Sequence, residues 1–168
     1  LLAYARYGYI GYCFAENDKK NAEKHAGKLE NHIDEMLNTD KEWAEAYALK
    51  GALYGFKTEF NMWRIADYAL LSFKNIEKAV SINKKSPAVW IEKANAAYYT
   101  PVFFGGGTEQ AIENLTYAIR LFEEQEVHQE NWLYLLTLAN LGRWHEEARH
   151  YQKAKDIYEK LLVLEPGY

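Results

Sequence analysis

The chain has 168 residues, of which 49% are hydrophobic and 26% charged, and its formal net charge is −4. This composition is that of a globular domain large enough to bury a core, and the acidic balance excludes the basic face that non-specific binding to nucleic acid requires. The single cysteine, Cys13, excludes an internal disulfide, and no apolar run approaches the roughly 20 residues of a transmembrane helix.

An aromatic-led stretch recurs four times along the chain. The four copies read YARYGYIGY, YALKGALYG, WIEKANAAYY and WLYLLTLAN, and they begin 43, 43 and 42 residues apart. The leading aromatics are Tyr4, Tyr47, Trp90 and Trp132. Four residues after each comes a small or apolar residue, which is Gly8, Gly51, Ala94 or Leu136. This repetition predicts four similar units, at residues 1–43, 44–86, 87–128 and 129–168.

Each stretch is followed by a second segment with apolar residues at steps of three and four, the spacing of one helix face. In the first unit these residues are Ala22, Ala26, Leu29, Ile33 and Met36. In the second they are Ala66, Ala69, Phe73, Ile76 and Ala79. In the third they are Ala111, Leu115, Ala118 and Phe122. Each unit is therefore predicted to be a helical hairpin, with a first helix A and a second helix B. We expect the small residues of helix A to let it approach helix B closely.

Between the helices of the third unit lies the uncharged segment YYTPVFF followed by three glycines. Because Pro101 disfavours helix at Thr100, helix A should end near Tyr99. We expect Phe103 and Phe104 to fold back over the hairpin end, the glycines Gly105 and Gly106 to form the turn, and Thr108 to cap the next helix. A ligand-lining loop is the alternative. A phosphate loop is disfavoured because no lysine follows and Glu109 occupies the first helical turn.

The last helix carries more apolar residues than one face can hold. Its inner stripe is Ala148, Tyr151, Ala154, Tyr158 and Leu161. Ile157, Leu162 and Leu164 lie outside that stripe, and an exposed patch of this kind is unusual on a monomer. The sequence therefore predicts packing on another copy of the chain or on a partner.

No arrangement of residues in the sequence indicates catalysis or a metal site. The stretch HEEARH at 145–150 lacks the two histidines four apart that a zinc-protease helix needs. His25 and His32 share a helix face but are flanked by lysines, so we interpret them as solvated surface residues. Cys13 lacks a recognisable histidine partner and is interpreted as a core residue. We therefore expect no enzyme activity, no cofactor and no metal.

These units resemble the tetratricopeptide repeat, a two-helix unit of about 34 residues. Tyr47, Gly51 and Tyr54 fill its helix A positions, Ser72, Ile76 and Ala79 fill its helix B positions, and Tyr158 and Pro166 fit its C-terminal half. The resemblance implies one all-α domain over residues 1–168, a superhelix (solenoid) of four hairpins. Five to nine extra residues between the halves of each unit imply hairpins longer than those of the family.

A shorter stretch, TPVFFGGGTEQAIENLTYAI, is similar to the helix-loop-helix of the T-component of TRAP transporters and related bacterial proteins. This second resemblance implies a carrier of a small ligand associated with a transporter. If a signal segment preceded Leu1, this resemblance implies a periplasmic or exported protein. Otherwise we expect a cytoplasmic protein.

In tetratricopeptide arrays, helix A lines the concave groove in which a peptide or protein segment binds. The resemblance assigns to this groove Tyr9, Tyr12, Phe56, Asn95, Tyr98, Tyr99, Thr137 and Asn140. The lysines, arginines and asparagines with which chaperone-binding members clamp a carboxylate are missing here apart from Asn95. The leading hypothesis is a non-enzymatic scaffold whose groove is centred on the third helix A. A closed, dry pocket around Tyr98, Tyr99 and Phe104 would instead favour the carrier.

Overall fold

The structure, a computed structural model, describes residues 2–128 and 131–167. Leu1 and Tyr168 at the ends of the predicted domain, and Gln129 and Glu130 at the start of the predicted fourth unit, lie outside it. Within the described ranges the chain forms eight α-helices and no strand. They are α1 (Leu2–Ala15), α2 (Lys19–Thr39), α3 (Ala44–Phe60), α4 (Ile65–Ile82), α5 (Pro87–Tyr99), α6 (Thr108–Glu124), α7 (Trp132–Glu147) and α8 (Tyr151–Leu164). None of these helices combines the length and the apolar character that crossing a membrane requires.

Consecutive helices pair as predicted, α1 with α2, α3 with α4, α5 with α6 and α7 with α8. The chain divides into two compact units, Leu1–Lys84 and Lys85–Tyr168, and each contains two of the hairpins. From here on, the first unit and the second unit are these two halves, and the four repeats are called hairpins. The all-α repeat of hairpins is therefore confirmed. That residues 1–168 act as one domain stays a prediction.

The first unit is built around the predicted stripe of α2. Ala22, Ala26, Leu29 and Ile33 are all buried, as the spacing indicated, and they pack with residues of α1 and α3. Ile10 and Cys13 contribute the α1 side of this core. Cys13 is therefore a packing residue, as predicted.

The second unit has the larger core, contributed by all four of its helices. The predicted α6 stripe of Ala111, Leu115, Ala118 and Phe122 is fully buried. The largest buried side chains are Trp144 and Tyr134, both of α7. Because burial of large aromatic rings removes much apolar area from water, α7 contributes strongly to the stability of this unit.

Two of the hairpins close with short turns. In the α1–α2 turn Asn17 has a left-handed φ of 56°, and the amide of Asp18 donates to the carbonyl of Cys13 at 2.8 Å. The α7–α8 turn repeats this geometry, because Arg149 has φ 62° and the amide of His150 donates to the carbonyl of His145 at 2.8 Å. Ala148, predicted on the last B helix, lies at the end of α7.

At the predicted small positions, helices A and B lie in close contact in the two middle hairpins but not in the first and last. Gly51 and Ala94 are buried at the helix contacts of their hairpins. Gly8 is exposed with open space around it, and Leu136 is 42% exposed, so both of these assignments were wrong. In the last hairpin the tight contact is made further along α7 by Gly142, which faces the Tyr158 ring.

Replacing Gly51 with alanine should be less favourable than replacing Gly55 on the same helix. A Cβ at Gly51 would lie 2.5 Å from Cγ1 of Ile76 and 3.1 Å from the carbonyl oxygen of Ser72, whereas nothing lies within 4 Å of one at Gly55. Both variants gain about 1 kcal/mol of helix propensity, but Gly51→Ala also overpacks, at a cost of about 1–3 kcal/mol. Urea unfolding should rank Gly55→Ala above Gly51→Ala by about that cost. Equal stabilities would show that α3 and α4 are not in close contact.

The first half of α4 departs from the predicted stripe. Ala66, Ala69 and Phe73 are exposed, whereas Ile76 and Ala79 are buried as predicted, together with Ser72 and Val80. The reason is that Gly51 has no side chain, so the side chain of Ile76 and the backbone of Ser72 can lie close to it. The helix therefore turns its polar Ser72 inward and its apolar Phe73 outward.

Helix α8 exposes an apolar patch that differs in composition from the predicted one. Ile157 is half-buried against the core of the second unit, whereas Leu162, Val163 and Leu164 are exposed, and so is Tyr151, which was predicted on the inner stripe. Polar residues cover most of the remaining exposed surface, and they are Gln152, Lys153, Lys155, Asp156, Glu159 and Lys160. Association of two copies through α8 stays a prediction.

Candidate functional site

The end of α5 holds an aromatic cluster in which Tyr98 is the inner member. The Tyr98 ring stacks on buried Trp144 of α7, with ring centroids 4.7 Å apart and planes inclined by 9°. Its hydroxyl donates to Oε2 of Glu147 at 2.6 Å. This hydrogen bond, together with partial burial and the negative charge of Glu147, raises the pKa of Tyr98. Tyr98 therefore connects the end of α5 to α7, and its ring also forms part of the aromatic surface.

The outer members of the cluster are almost fully exposed. Tyr99 is 80% exposed and meets the Tyr98 ring edge-on at 5.1 Å. In the following 3₁₀ turn, Val102–Phe104, Phe103 is 91% and Phe104 75% exposed. The expectation that Phe103 and Phe104 fold back over the hairpin end was wrong. They project outward and form an apolar tip, with the two rings 5.3 Å apart.

The three glycines hold this tip in a fixed shape. Gly105 and Gly107 have left-handed φ values of 81° and 104°, and an added Cβ at Gly106 would overlap the carbonyl of Thr100. The glycine amides donate in turn to the carbonyls of Val102, Pro101 and Ala97 at 2.9, 3.3 and 2.8 Å. Because all three amides are used within the loop, none is left to bind a phosphate. The segment is a structured turn, as predicted.

Capping of α6 differs from the prediction. The N-cap residue is Gly107, and Thr108 is already the first residue of the helix, without a capping hydrogen bond from its side chain. The φ of 104° at Gly107 places the chain in a backbone region that is essentially restricted to glycine. The turn geometry therefore decides where α6 begins.

The other groove residues predicted in the second unit differ in accessibility. Asn95 is half-buried, and its amide donates to Oε2 of buried Glu92 at 3.3 Å. Asn140 is partly exposed. Thr137 is only 1% exposed and its hydroxyl donates to the carbonyl of Leu133 at 2.6 Å, so its side chain belongs to the core. We therefore exclude Thr137 from the candidate surface.

In the first unit, two of the predicted groove residues are exposed and one packs against other rings. Tyr9 and Tyr12 are 41% and 59% exposed, with ring centroids 6.1 Å apart. Phe56 instead packs between Tyr7 and Phe14, at 5.4 and 5.5 Å. Phe56 is thus a core residue at the edge of the first unit, and Tyr9 and Tyr12 are available to a ligand.

The two histidines of HEEARH come together although they are not on one helix face. Nδ1 of His145 lies 3.3 Å from Nδ1 of His150, and Nε2 of His150 lies 3.6 Å from Oε1 of Glu109. Within residues 2–128 and 131–167, no group of three or more histidine, cysteine and acidic side chains is placed to hold a metal ion. The pair therefore joins the α7–α8 turn to α6 without forming a ligand set.

Acid should destabilise the protein through His145. Burial, followed by the charges of Lys153 and His150, lowers the pKa of His145 from its ordinary 6.5. As the pH falls below that ordinary value, the unfolded chain takes up a proton that the folded chain resists, so stability decreases. The free energy of unfolding in urea should fall between about pH 7 and about pH 5.5. His145→Gln should flatten this dependence, and an unchanged slope would contradict the role of His145.

Sequence reasoning did not identify Trp144 and Glu147 as partners of Tyr98, nor Arg6 as a partner of the two α2 histidines. His25 and His32 were interpreted as solvated, but both are half-buried and contact Arg6. The sequence signal that could have revealed this is the spacing of His25 and His32, which places both on the face that meets α1.

Comparison with known proteins shows the fold. Neither a protein-family model nor a curated protein sequence matches the chain. Among solved structures, MamA, a TPR-like protein, is similar over 90% of this chain and 75% of its own, with a TM-score of 0.54 and 19% identity. The HusA haemophore from Porphyromonas gingivalis is similar over 98% of this chain and 71% of its own, with a TM-score of 0.50 and 19% identity. At this identity the likeness shows a TPR-like helical fold and nothing about ligands.

Proposed function

We propose that this protein is a non-enzymatic TPR-like scaffold that binds a peptide or protein segment on the aromatic surface at the end of α5. This surface is defined by Tyr98, Tyr99, Val102, Phe103 and Phe104. The observation that carries the proposal is that three of its rings are at least 75% exposed on a turn whose glycine amides are all hydrogen-bonded. Large exposed rings on a fixed backbone lose little entropy on binding.

The chemistry of the surface favours an apolar or aromatic segment as its ligand. Residues 98–108 carry no charged side chain, so the surface offers no ion pair to an acidic or basic ligand. The hydroxyl of Tyr98 is already bonded to Glu147. Rings on the ligand can stack against Tyr99 and Phe104, and its backbone can bond to the exposed Tyr99 hydroxyl.

Peptides selected from a display library against the intact protein provide the test. Replacing Tyr99, Phe103 and Phe104 together with serine should weaken peptide binding by about 30-fold or more, since buried aromatic anchors dominate such interfaces. Because these rings are exposed, far-ultraviolet circular dichroism should not change. The matched control replaces three exposed apolar residues of the first unit, Met62, Trp63 and Phe73, with serine. Equal loss in both variants would contradict the assignment.

The alternative is a carrier of a small flat ligand, associated with a transporter. The likeness to a haemophore and the resemblance of the loop to T-components support it, together with the two ring pairs Tyr98–Tyr99 and Phe103–Phe104. Against it, Tyr99, Phe103 and Phe104 are open to solvent rather than lining a closed pocket. Titration with haem, followed by its Soret absorption, distinguishes the two. Saturable binding that the triple serine variant abolishes would replace the scaffold with the carrier.

A further inference from the structure

In the first unit, the guanidinium of Arg6 on α1 faces two histidine rings of α2. Nε of Arg6 donates to Nε2 of His32 at 2.9 Å, and Nη1 lies 3.4 Å from Nδ1 of His25. Arg6 is half-buried. In the part of the chain that the structure describes, no carboxylate lies within ion-pair distance of it. Imidazole rings thus occupy part of a guanidinium edge that normally pairs with an anion.

The surroundings of this arginine are positive although the chain as a whole is acidic. The pKa of His25 is lowered by burial and then by the charges of Lys28, Arg6 and Lys24, all of them cations. An acidic residue, Glu35, lies 3.5 Å from His32, and its side chain is 76% exposed. Beside these groups the exposed ring of Tyr9 lies 4.5 Å from the His25 ring.

We propose that Arg6, His25 and His32 form a binding site for a carboxylate. The remaining N–H groups on Nη1 and Nη2 of Arg6 would hold the two oxygens, and Lys24 and Lys28 would add attraction from the rim. The Tyr9 ring gives the aliphatic part of the ligand an apolar contact. This site belongs to the first unit, whereas the surface at the end of α5 belongs to the second. The two also differ in chemistry, because this site selects a negatively charged ligand.

Binding at this site is linked to protonation of His25, which lies beside Nη1 of Arg6. A protonated His25 adds positive charge to the site, which favours a bound anion. The groups that face the rings are Arg6 and Tyr9 from α1, and Lys24, Lys28 and Glu35 from α2. Carboxylate binding should therefore tighten as the pH falls, and bound carboxylate should raise the pKa of His25.

The test uses the whole chain and two matched probes, N-acetylglutamate amide and its neutral isostere N-acetylglutamine amide. Imidazole proton resonances of His25 and His32, followed by NMR, should shift saturably with the glutamate probe and not with the glutamine probe. Arg6→Gln should weaken the glutamate response by about tenfold or more. Arg120→Gln, which removes an exposed arginine already paired with Glu124, should leave it unchanged.

Three results would overturn the proposal. They are no saturable shift in the wild-type chain, an equal response to the two probes, and an Arg6→Gln variant that binds like wild type. The first two need no variant, so they remain decisive even if Arg6→Gln fails to fold. A third probe, inorganic phosphate, separates anion classes: tighter binding of phosphate than of the glutamate probe would overturn the assignment of a carboxylate.

Discussion

Trp144→Ala is expected to destabilise the second unit by about 3–5 kcal/mol, the largest single effect in this chain. Trp144 is 2% exposed, belongs to the core shared by α5 to α8, and supports the Tyr98 ring. Its removal therefore leaves a cavity and also frees the inner member of the aromatic surface. Urea unfolding measures the loss, and peptide binding should weaken with it.

Trp132 provides the control because it lies on the same helix but is 60% exposed. Trp132→Ala should change stability by no more than about 0.5 kcal/mol. A further variant tests a detail of the core: Nε1 of Trp144 is buried and has no acceptor among the described residues. Since Trp144→Phe removes that unsatisfied donor, it should cost much less than Trp144→Ala. Similar losses for Trp132→Ala and Trp144→Ala would contradict the position of α7.

Gly106→Ala is expected to disrupt the turn that presents Phe103 and Phe104. The new Cβ would overlap the carbonyl oxygen of Thr100 and lie 2.7 Å from that of Ala97, and backbone atoms cannot move aside as a side chain can. We expect a loss of about 1–3 kcal/mol or more, with loss of peptide binding. Thermal unfolding and peptide titration measure the two effects.

The neighbouring Gly105 gives the matched control for this loop. Its φ of 81° and ψ of 17° lie in the left-handed region, and there is open space where a Cβ would go. Asparagine adopts this conformation more readily than other residues with side chains, so Gly105→Asn should fold and bind peptide nearly as well as wild type. A Gly106→Ala variant as stable and as active as Gly105→Asn would show that the turn is not built as described.

The hairpins were predictable because helix spacing is a local property of the sequence. The stripes of α2 and α6 are buried as predicted, since each consists of apolar residues on one face. The stripe of α4 is right at Ile76 and Ala79 but wrong in the first half of the helix, because spacing alone cannot show that Ser72 lies against Gly51. In the last hairpin the position four residues after Trp132 does not face the partner helix, since Leu136 is exposed and Gly142 makes the tight contact. Trp132 is itself exposed, so this aromatic residue does not mark the buried face.

The candidate surface was predictable only in part. Tyr98 and Tyr99 follow from their place at the end of a helix A, but the stacking of Tyr98 on Trp144 joins residues that are distant in sequence. The outward position of Phe103 and Phe104 depends on the hydrogen bonds and φ angles of the glycine turn. Glycines permit several turn geometries, so the sequence did not decide between rings packed inward and rings presented to a ligand.

The central claim is that the end of α5 and its glycine turn form a peptide-binding surface. Backbone amide shift mapping by NMR, with a display-selected peptide added to the uniformly labelled protein, tests it most directly. The account predicts that the largest perturbations fall on residues 95–107 and on the part of α7 around Trp144. Saturable binding that perturbs other helices while residues 95–107 remain unchanged would contradict it.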